Sequence, residues 1–236
     1  MAISQKYGRT YHYPFSPGTT NDDRIQEDYW QYLQQMRQVV HTEKLDGENN
    51  CLSRWGVFAR SHAAPTVSPW TESLRRFWAL VKHDLGALEI FLENLYAVHS
   101  IGYQQLNQHF YVFAVRENDQ WLSWEETKFY ASMLDLPVVP EISVIKPPTC
   151  RKTFESEVLQ MVAGPGSFAP HDAFTGKPVT MEGIVTRNAD GYAVDAMDKN
   201  VFKYVRKGHV KTDEHWTRNW KRARLQTEGG GYVDDK

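Results

Sequence analysis

The residues best suited to chemistry in this chain are widely spaced: Lys44-Leu45-Asp46-Gly47-Glu48-Asn49, then Arg60, Glu93, Phe113, Glu182 and Lys203. Singly they say little, since a lysine beside a tight turn is most often a solvated surface group. As a set their types suit phosphoryl chemistry. A lysine amine is a nucleophile only when deprotonated, so one that attacks phosphorus needs cationic neighbours or desolvation to lower its pKa. Lys203 and Arg60 are the candidate neighbours. The leaving group and the phosphate oxygens must also be neutralised, which calls for a divalent cation, carboxylates and further basic groups. Glu182 and Lys203 supply those types, and Gly183 lets backbone approach a ligand closely.

Other chemistries drop out. The glycine-rich stretch Ala163-Gly-Pro-Gly-Ser-Phe-Ala-Pro170 lacks the Gly-Lys-Ser/Thr end of a phosphate-binding loop. There is no G-x-G-x-x-G, no Gly-x-Ser-x-Gly elbow, no H-E-x-x-H and no Cys/His zinc spacing. His62, His209 and His215 stand near the motifs and read as core or surface histidines. Two cysteines, Cys51 and Cys150, are too few for a disulfide framework. No apolar run approaches the ~18 residues of a membrane helix, and no secretory h-region opens the chain. The expectation is a cytoplasmic, monomeric protein that makes no membrane contact.

The elements that must hold these residues are legible in outline. Ile25, Tyr29, Tyr32, Leu33, Met36 and Val40 predict an amphipathic helix from Asn21-Asp22 to about Val40. CLSRWGVFARS reads as a hairpin around Gly56, so KLDGEN falls between a helix and a β unit. Ser68-Pro69 opens a helix with Trp70, Leu74, Phe77, Trp78 and Val81 on one face. LEIFLENLYAV and HFYVFAVR read as neighbouring strands, and Ser123-Trp-Glu-Glu126 is a capping box starting a helix to about Leu134. Pro137, Pro140, Pro147 and Pro148 suggest an irregular connector before a helix from about Thr153 to Val162. TMEGIVTR, GYAVDA and NVFKYVRK then read as short strands.

In order and spacing, K-x-D-G at Lys44, the strand bearing Glu93, the aromatic strand around Phe113, Glu182-Gly-Ile-Val185 and the strand bearing Lys203 resemble the covalent nucleotidyltransferase superfamily of ATP-dependent ligases and capping enzymes. Asn49, closing Lys-Leu-Asp-Gly-Glu-Asn where DNA ligases usually carry arginine, resembles RNA ligases of the nick-sealing type. The resemblance spans about residues 40 to 210. It implies an α+β, ATP-grasp-like nucleotidyltransferase domain of two antiparallel sheets flanked by helices, with the nucleotide between them. It further implies that Lys44 carries AMP covalently and that Glu43 helps recognise the adenine edge. Leu45, Asn49 and Arg60 would line the nucleotide, with Glu93 on the ribose hydroxyls and Phe113 stacked on the base. Lys203 would contact phosphate, and Glu182 would attend Mg2+ or Mn2+. Asp46 is open between a metal or water-positioning group and a turn former. The last motif departs from the familiar K-x-K or K-x-R, because Val205 follows Lys203 by two. Arg206 or Lys207 would then be its basic partner.

Net charge is −2, yet from Lys199 onward ten lysines and arginines face five acids. Residues 1–210 are expected to form the nucleotidyltransferase domain and 211–236 a basic helix with a fraying tail, with no room for an OB barrel. Trp216 and Trp220 would dock that helix, and Arg218, Lys221 and Arg222 would meet phosphates. The implied activity joins RNA 3′-OH and 5′-phosphate ends using ATP, with RNA binding either minimal or supplied by a partner protein. A GTP-using capping enzyme, a DNA-end ligase and a non-catalytic RNA-end binding module are the rivals.

Overall fold

The computed structural model describes residues 6–168, 171, 176, 178, 180–208 and 219–229, and the backbone of 232–233. In chain order the elements are β1 (Tyr11–His12), α1 (Tyr29–Leu33), β2 (Val39–Lys44), β3 (Glu48–Ser53), β4 (Gly56–Ala59), α2 (Glu72–Val81), β5 (Leu88–Asn94), β6 (Phe110–Glu117), β7 (Gln120–Trp121), α3 (Trp124–Met133), β8 (Glu141–Ile145), α4 (Arg151–Ala163), β9 (Gly183–Asn188), β10 (Tyr192–Ala193), α5 (Met197–Asn200), β11 (Val201–Val205), β12 (Arg222–Ala223) and β13 (Tyr232–Val233).

Two sheets carry the domain. One runs β1-β11-β9-β2-β8, antiparallel except for the parallel β1–β11 pair, and the other is the antiparallel β10-β7-β6-β5-β3-β4. Apolar side chains on both faces of the central strands produce three layers of core. Cys51, Phe58, Phe91 and Trp121 of the second sheet meet Val40 and Val201 of the first between the sheets. Tyr29 and Leu33 of α1 and Phe154 and Val158 of α4 cover Ile184 and Phe202 on the outer side of the first sheet. Leu74 of α2 and Ala131 of α3 cover Leu52, Ile90 and Val112 on the outer side of the second. This is the α+β arrangement of two sheets flanked by helices. Among the described residues no helix is long and apolar enough to cross a membrane.

Several predicted elements are corrected. The helix expected to reach Val40 is only the five residues of α1. Val39 and Val40 open β2, which is paired on both edges, by β8 and β9; β-branched residues fit such a strand, and Met36 and Val40 merely coincide with a helical spacing. Lys44 therefore ends a strand. The proline-rich connector contains the edge strand β8, with its prolines outside the paired residues, as an edge allows. GYAVDA is strand only at Tyr192–Ala193 before turning helical.

The basic C-terminal helix fails where it can be seen. Residues 222–223 are strand, Ala97 bridges Arg222, and the Ala223 N–H donates to the Tyr96 carbonyl. Ala223 and Leu225 alternate inward onto the inter-sheet core, so the period is two and not 3.6. Trp220 packs against Trp70 and Tyr96. Residues 212–218 of the predicted helix, with Arg218, Trp216, His209 and His215, lie outside the described residues.

The capping box does form: the Glu126 N–H donates to Ser123 Oγ at 3.3 Å and the Ser123 N–H donates to Glu126 Oε2 at 2.9 Å.

Close packing of β9 on β11 is what brings Glu182 and Lys203 to one end of the first sheet. A Cβ on Gly183 would lie 1.9 Å from the Tyr204 carbonyl oxygen and 3.1 Å from Val205 Cα. Gly183→Ala is expected to cost about 3 kcal/mol, because backbone rather than a flexible side chain must move. Chemical denaturation checks this, with an unchanged midpoint as the contrary result.

Candidate active site

A cavity of about 450 Å³ opens between the sheets, and its walls include Glu43, Lys44, Glu93, Phe113, Arg187 and Lys203. Leu45, Asn49 and Arg60 also line it. Residues separated by up to 160 positions in sequence thus share one pocket because strand ends deliver them. Lys44 ends β2 opposite Gly183 at the start of β9, and the adjoining Glu182 carboxylate lies 2.8 Å from the Lys44 amine. Glu93 on β5 pairs in register with Asn49 on β3, and Lys203 on β11 with Val185 on β9.

The turn after Lys44 is held on three sides. Glu93 Oε1 accepts the Gly47 N–H at 3.0 Å, and the Tyr103 hydroxyl accepts the Asp46 N–H at 2.9 Å. Asp46 Oδ2 accepts the Ser100 N–H and hydroxyl at 2.8 and 2.6 Å and the Ile101 N–H at 2.8 Å. The Asp46 carboxylate thus ties the turn to loop 100–101.

Electrostatics around Lys44 run opposite to expectation. Burial works to depress its pKa, but the carboxylates of Glu182, Glu93 and Asp46 outweigh burial and raise it well above the ordinary lysine value. Lys203 and Arg60 were expected to lower it. Lys203 is instead paired with Asp23 at 3.1 Å, and Arg60 is exposed at the rim. Lys44 is thus an ammonium at neutral pH. Glu93 is pushed up to about 7, chiefly by burial and further by Glu182, with Lys44 pulling it down.

At the far wall Glu43 is buried, which raises its pKa. Its Oε2 accepts the Ser167 N–H at 2.8 Å, while Oε1 is buried without a hydrogen-bond partner among the described residues. Phe113 lies in the wall with the Tyr7 ring edge-on at 5.1 Å. Arg206 is outside the lining of the pocket: its backbone N–H donates to the Glu182 carbonyl and its Nε to the Met181 carbonyl. Lys207 is exposed in the turn beyond β11. Arg222 makes two hydrogen bonds to Glu228, and the Lys221 carbonyl accepts the Val98 N–H.

Sequence reasoning missed Arg187, Tyr7 and Asp23. Arg187 is 6% exposed, with its guanidinium 5.0 Å from the Trp124 ring, donating to the Phe113 carbonyl and to Thr42 Oγ1. It has no carboxylate partner among the described residues, and burial lowers its pKa. Its signal was available, because alternation from Gly183 through Val185 puts Arg187 on the pocket face of β9. Tyr7 and Asp23 carried none, coming from a segment with no clear period.

A divalent cation fits this site in one way. Among the described residues no three His, Cys, Asp or Glu side chains converge as a ligand set. Glu182, 4% exposed beside the pocket, offers one carboxylate. Magnesium commonly takes one or two carboxylates and completes its shell with phosphate oxygens and water.

A strand-end lysine paired with a glutamate on the next strand, at a cavity between two sheets flanked by helices, belongs to the nucleotidyltransferase class of α+β domains. The RNA ligase family model matches residues 37–205, and the chain belongs to that family. No curated protein matches it. Its fold is similar to that of an RNA ligase mutant from Naegleria gruberi in its apo form, with TM-score 0.56 and 18% identity, over 86% of this chain and 60% of that one. Another mutant of the Naegleria gruberi enzyme, with ATP and Mn, gives TM-score 0.54 and 19% identity over 92% and 64%. A putative ATP-dependent DNA ligase from Aquifex aeolicus gives TM-score 0.50 and 14% identity over 85% and 50%. The chain thus spans about 60% of the length of the first of these.

Glu93 offers a test of the buried charge cluster. Between its ordinary pKa near 4.5 and about 7 the folded protein keeps a proton that the unfolded chain has released. More protons bound in the native state means that stability falls as pH rises through that window. Glu93→Gln removes this contribution, so its melting temperature should decline less from pH 5 to pH 8 than that of the parent. Parallel declines in thermal scans would contradict the assignment.

Proposed function

We propose that this chain is an ATP-dependent RNA ligase that joins an RNA 3′-OH to a 5′-phosphate through AMP carried on Lys44. In the first step Lys44 gives up its ammonium proton to solvent, and the neutral amine attacks the α-phosphorus of ATP. The P–N bond forms, the bond to the bridging oxygen breaks, and pyrophosphate leaves with that electron pair. The amine sheds its surplus proton towards Glu182, the carboxylate 2.8 Å away. The 5′-phosphate oxygen of RNA then displaces Lys44 from phosphorus, and finally the 3′-hydroxyl attacks the activated 5′-phosphate and expels AMP.

The observation that carries this reading is the Lys44–Glu182 pair inside a pocket whose remaining charges suit a nucleoside triphosphate. Lys203 and Arg187 offer positive charge to phosphate oxygens. A divalent cation beside Glu182 would neutralise phosphate charge and draw the glutamate's field off Lys44. At the base end, the unpartnered buried Oε1 of Glu43 suits a donor. The adenine amino group is one, and the oxygen guanine carries at that position is not. Glu93 and Phe113 line the pocket, which supports the roles the family order assigns to them, the sugar for Glu93 and an apolar wall for the base for Phe113.

The test is incubation with ATP labelled at the α-phosphate and magnesium or manganese, read on a denaturing gel with Lys44→Ala as control and GTP as competitor. Label on the parent alone, chased into nicked RNA, is the expected result. Glu43→Ala should narrow the preference for ATP over GTP by about tenfold, through loss of one buried polar match. Preferential labelling by GTP would indicate a capping-type enzyme. A blank parent lane, from protein first shown by mass to carry no AMP, would indicate a binding module. Transfer of AMP to DNA ends alone would place the activity with DNA ligases.

A further inference from the structure

Lys203 is not held by its own strand. The segment that holds it comes from near the N-terminus, outside residues 37–205 that the family model matches. Strand β1 lies parallel to β11 with His12 opposite Lys203, and the Tyr13 N–H donates to the Lys203 carbonyl at 3.0 Å. The chain then returns along the other edge of β1: the His12 N–H donates to the Arg24 carbonyl at 2.7 Å and the Gln26 N–H to the His12 carbonyl at 2.9 Å. That return fixes Asp23 beside the pocket.

Each carboxylate oxygen of Asp23 has work. Oδ2 accepts the Thr20 N–H and the Thr20 hydroxyl, both at 3.0 Å, while Oδ1 accepts from the Lys203 amine at 3.1 Å and lies 3.2 Å from His12 Nε2. His12 is 1% exposed and its Nδ1 is 2.9 Å from Ser16 Oγ, which accepts the Val205 N–H at 2.9 Å. Asp23 and His12 thus lie side by side between Lys203 and Ser16, and Ser16 returns to β11 two residues beyond Lys203. Burial, with Lys203 beside it, pushes His12 down to about 4, so it is a neutral spacer at neutral pH.

We propose that Asp23 is a positioning residue for Lys203, fixing the lysine's ammonium at the wall of the nucleotide pocket through contacts supplied by the N-terminal segment. The inference rests on the proposed function for what Lys203 does and on geometry alone for what holds it. Long lysine side chains lose considerable rotamer freedom when fixed, and a partner already anchored by Thr20 removes that cost before a triphosphate arrives. The charged groups facing Lys203 are Asp23 from the N-terminal segment, Lys44 from β2 and Arg60 beyond β4, with the neutral His12 beside Asp23. Of these only Asp23 is anionic.

Asp23→Asn keeps the shape and deletes the charge. In single-turnover reactions with α-labelled ATP, the rate constant for label transfer should fall about tenfold while the labelled fraction stays within about twofold of the parent, as expected when a reacting group loses its orientation. Asp23→Glu should recover part of the rate. A merely structural role predicts the reverse, a smaller labelled fraction with an unchanged rate constant, and would overturn the proposal. Carbon NMR of lysines labelled at Cε in the ligand-free protein, with Lys203→Arg to assign the signal, gives a readout independent of activity. Loss of the Asp23 charge should lower the Lys203 titration midpoint by about one pH unit. An unmoved midpoint would overturn the pairing. A parent that never takes label fails the proposed function, and with it the kinetic half of this inference, while the NMR titration still decides the pairing on its own.

Discussion

The contact on which the site depends is the ion pair between Lys44 and Glu182. It sits where β2 ends and β9 begins, so the same ladder that pairs Lys44 with Gly183 aligns the two side chains. A buried pair of this kind is weak evidence of stability, since desolvation offsets much of the attraction. Its persistence at a pocket points to chemistry. The ammonium form of Lys44 is held by three carboxylates, so any ligand that uses this amine as a nucleophile must first reduce their influence. The charges of the pocket are matched internally: Glu182 answers Lys44 and Asp23 answers Lys203.

The two lysines differ in how they are fixed, and the difference follows from topology. Lys44 belongs to a strand paired on both edges, with its following turn clamped by Glu93, Tyr103 and loop 100–101. Lys203 belongs to β11, whose outer edge would be bare without β1. The short parallel pairing of β1 covers that edge and also imports Asp23 and His12. One segment therefore both shields a sheet edge and furnishes part of the pocket, since Tyr7 and Thr10 precede β1 along the same wall.

What the sequence revealed was whatever depends on order and alternation. Lys44, Glu93, Phe113 and Lys203 were legible as one site, and they line one cavity with Glu182 at hydrogen-bonding distance from Lys44. The Ser123–Glu126 cap was legible because its signal is local. Long-range pairing was not legible. Nothing near Asp23 in sequence names Lys203 as its partner, and the helix-like spacing of Met36 and Val40 hid the start of the central strand. The sign of the Lys44 shift was misread for a related reason: a list of charged residues carries no distances, and the basic groups thought to lie close proved to be engaged elsewhere or at the rim.

Arg187 ties these observations together. A guanidinium buried without a carboxylate is costly, and among the described residues carbonyl, hydroxyl and ring contacts are what compensate Arg187. Such an arrangement is tolerable if the missing anion arrives from outside, and Arg187 lines the same cavity as Lys203. The unpartnered acceptor on Glu43 makes the complementary demand at another part of the wall. A ligand that satisfies both must carry anionic oxygens and a hydrogen-bond donor on a part flat enough to lie against Phe113. Inorganic phosphate or pyrophosphate meets the first demand and not the second, and a free base meets the second and not the first. A nucleotide whose base carries an exocyclic amine meets both, which is the class of ligand the proposed function requires.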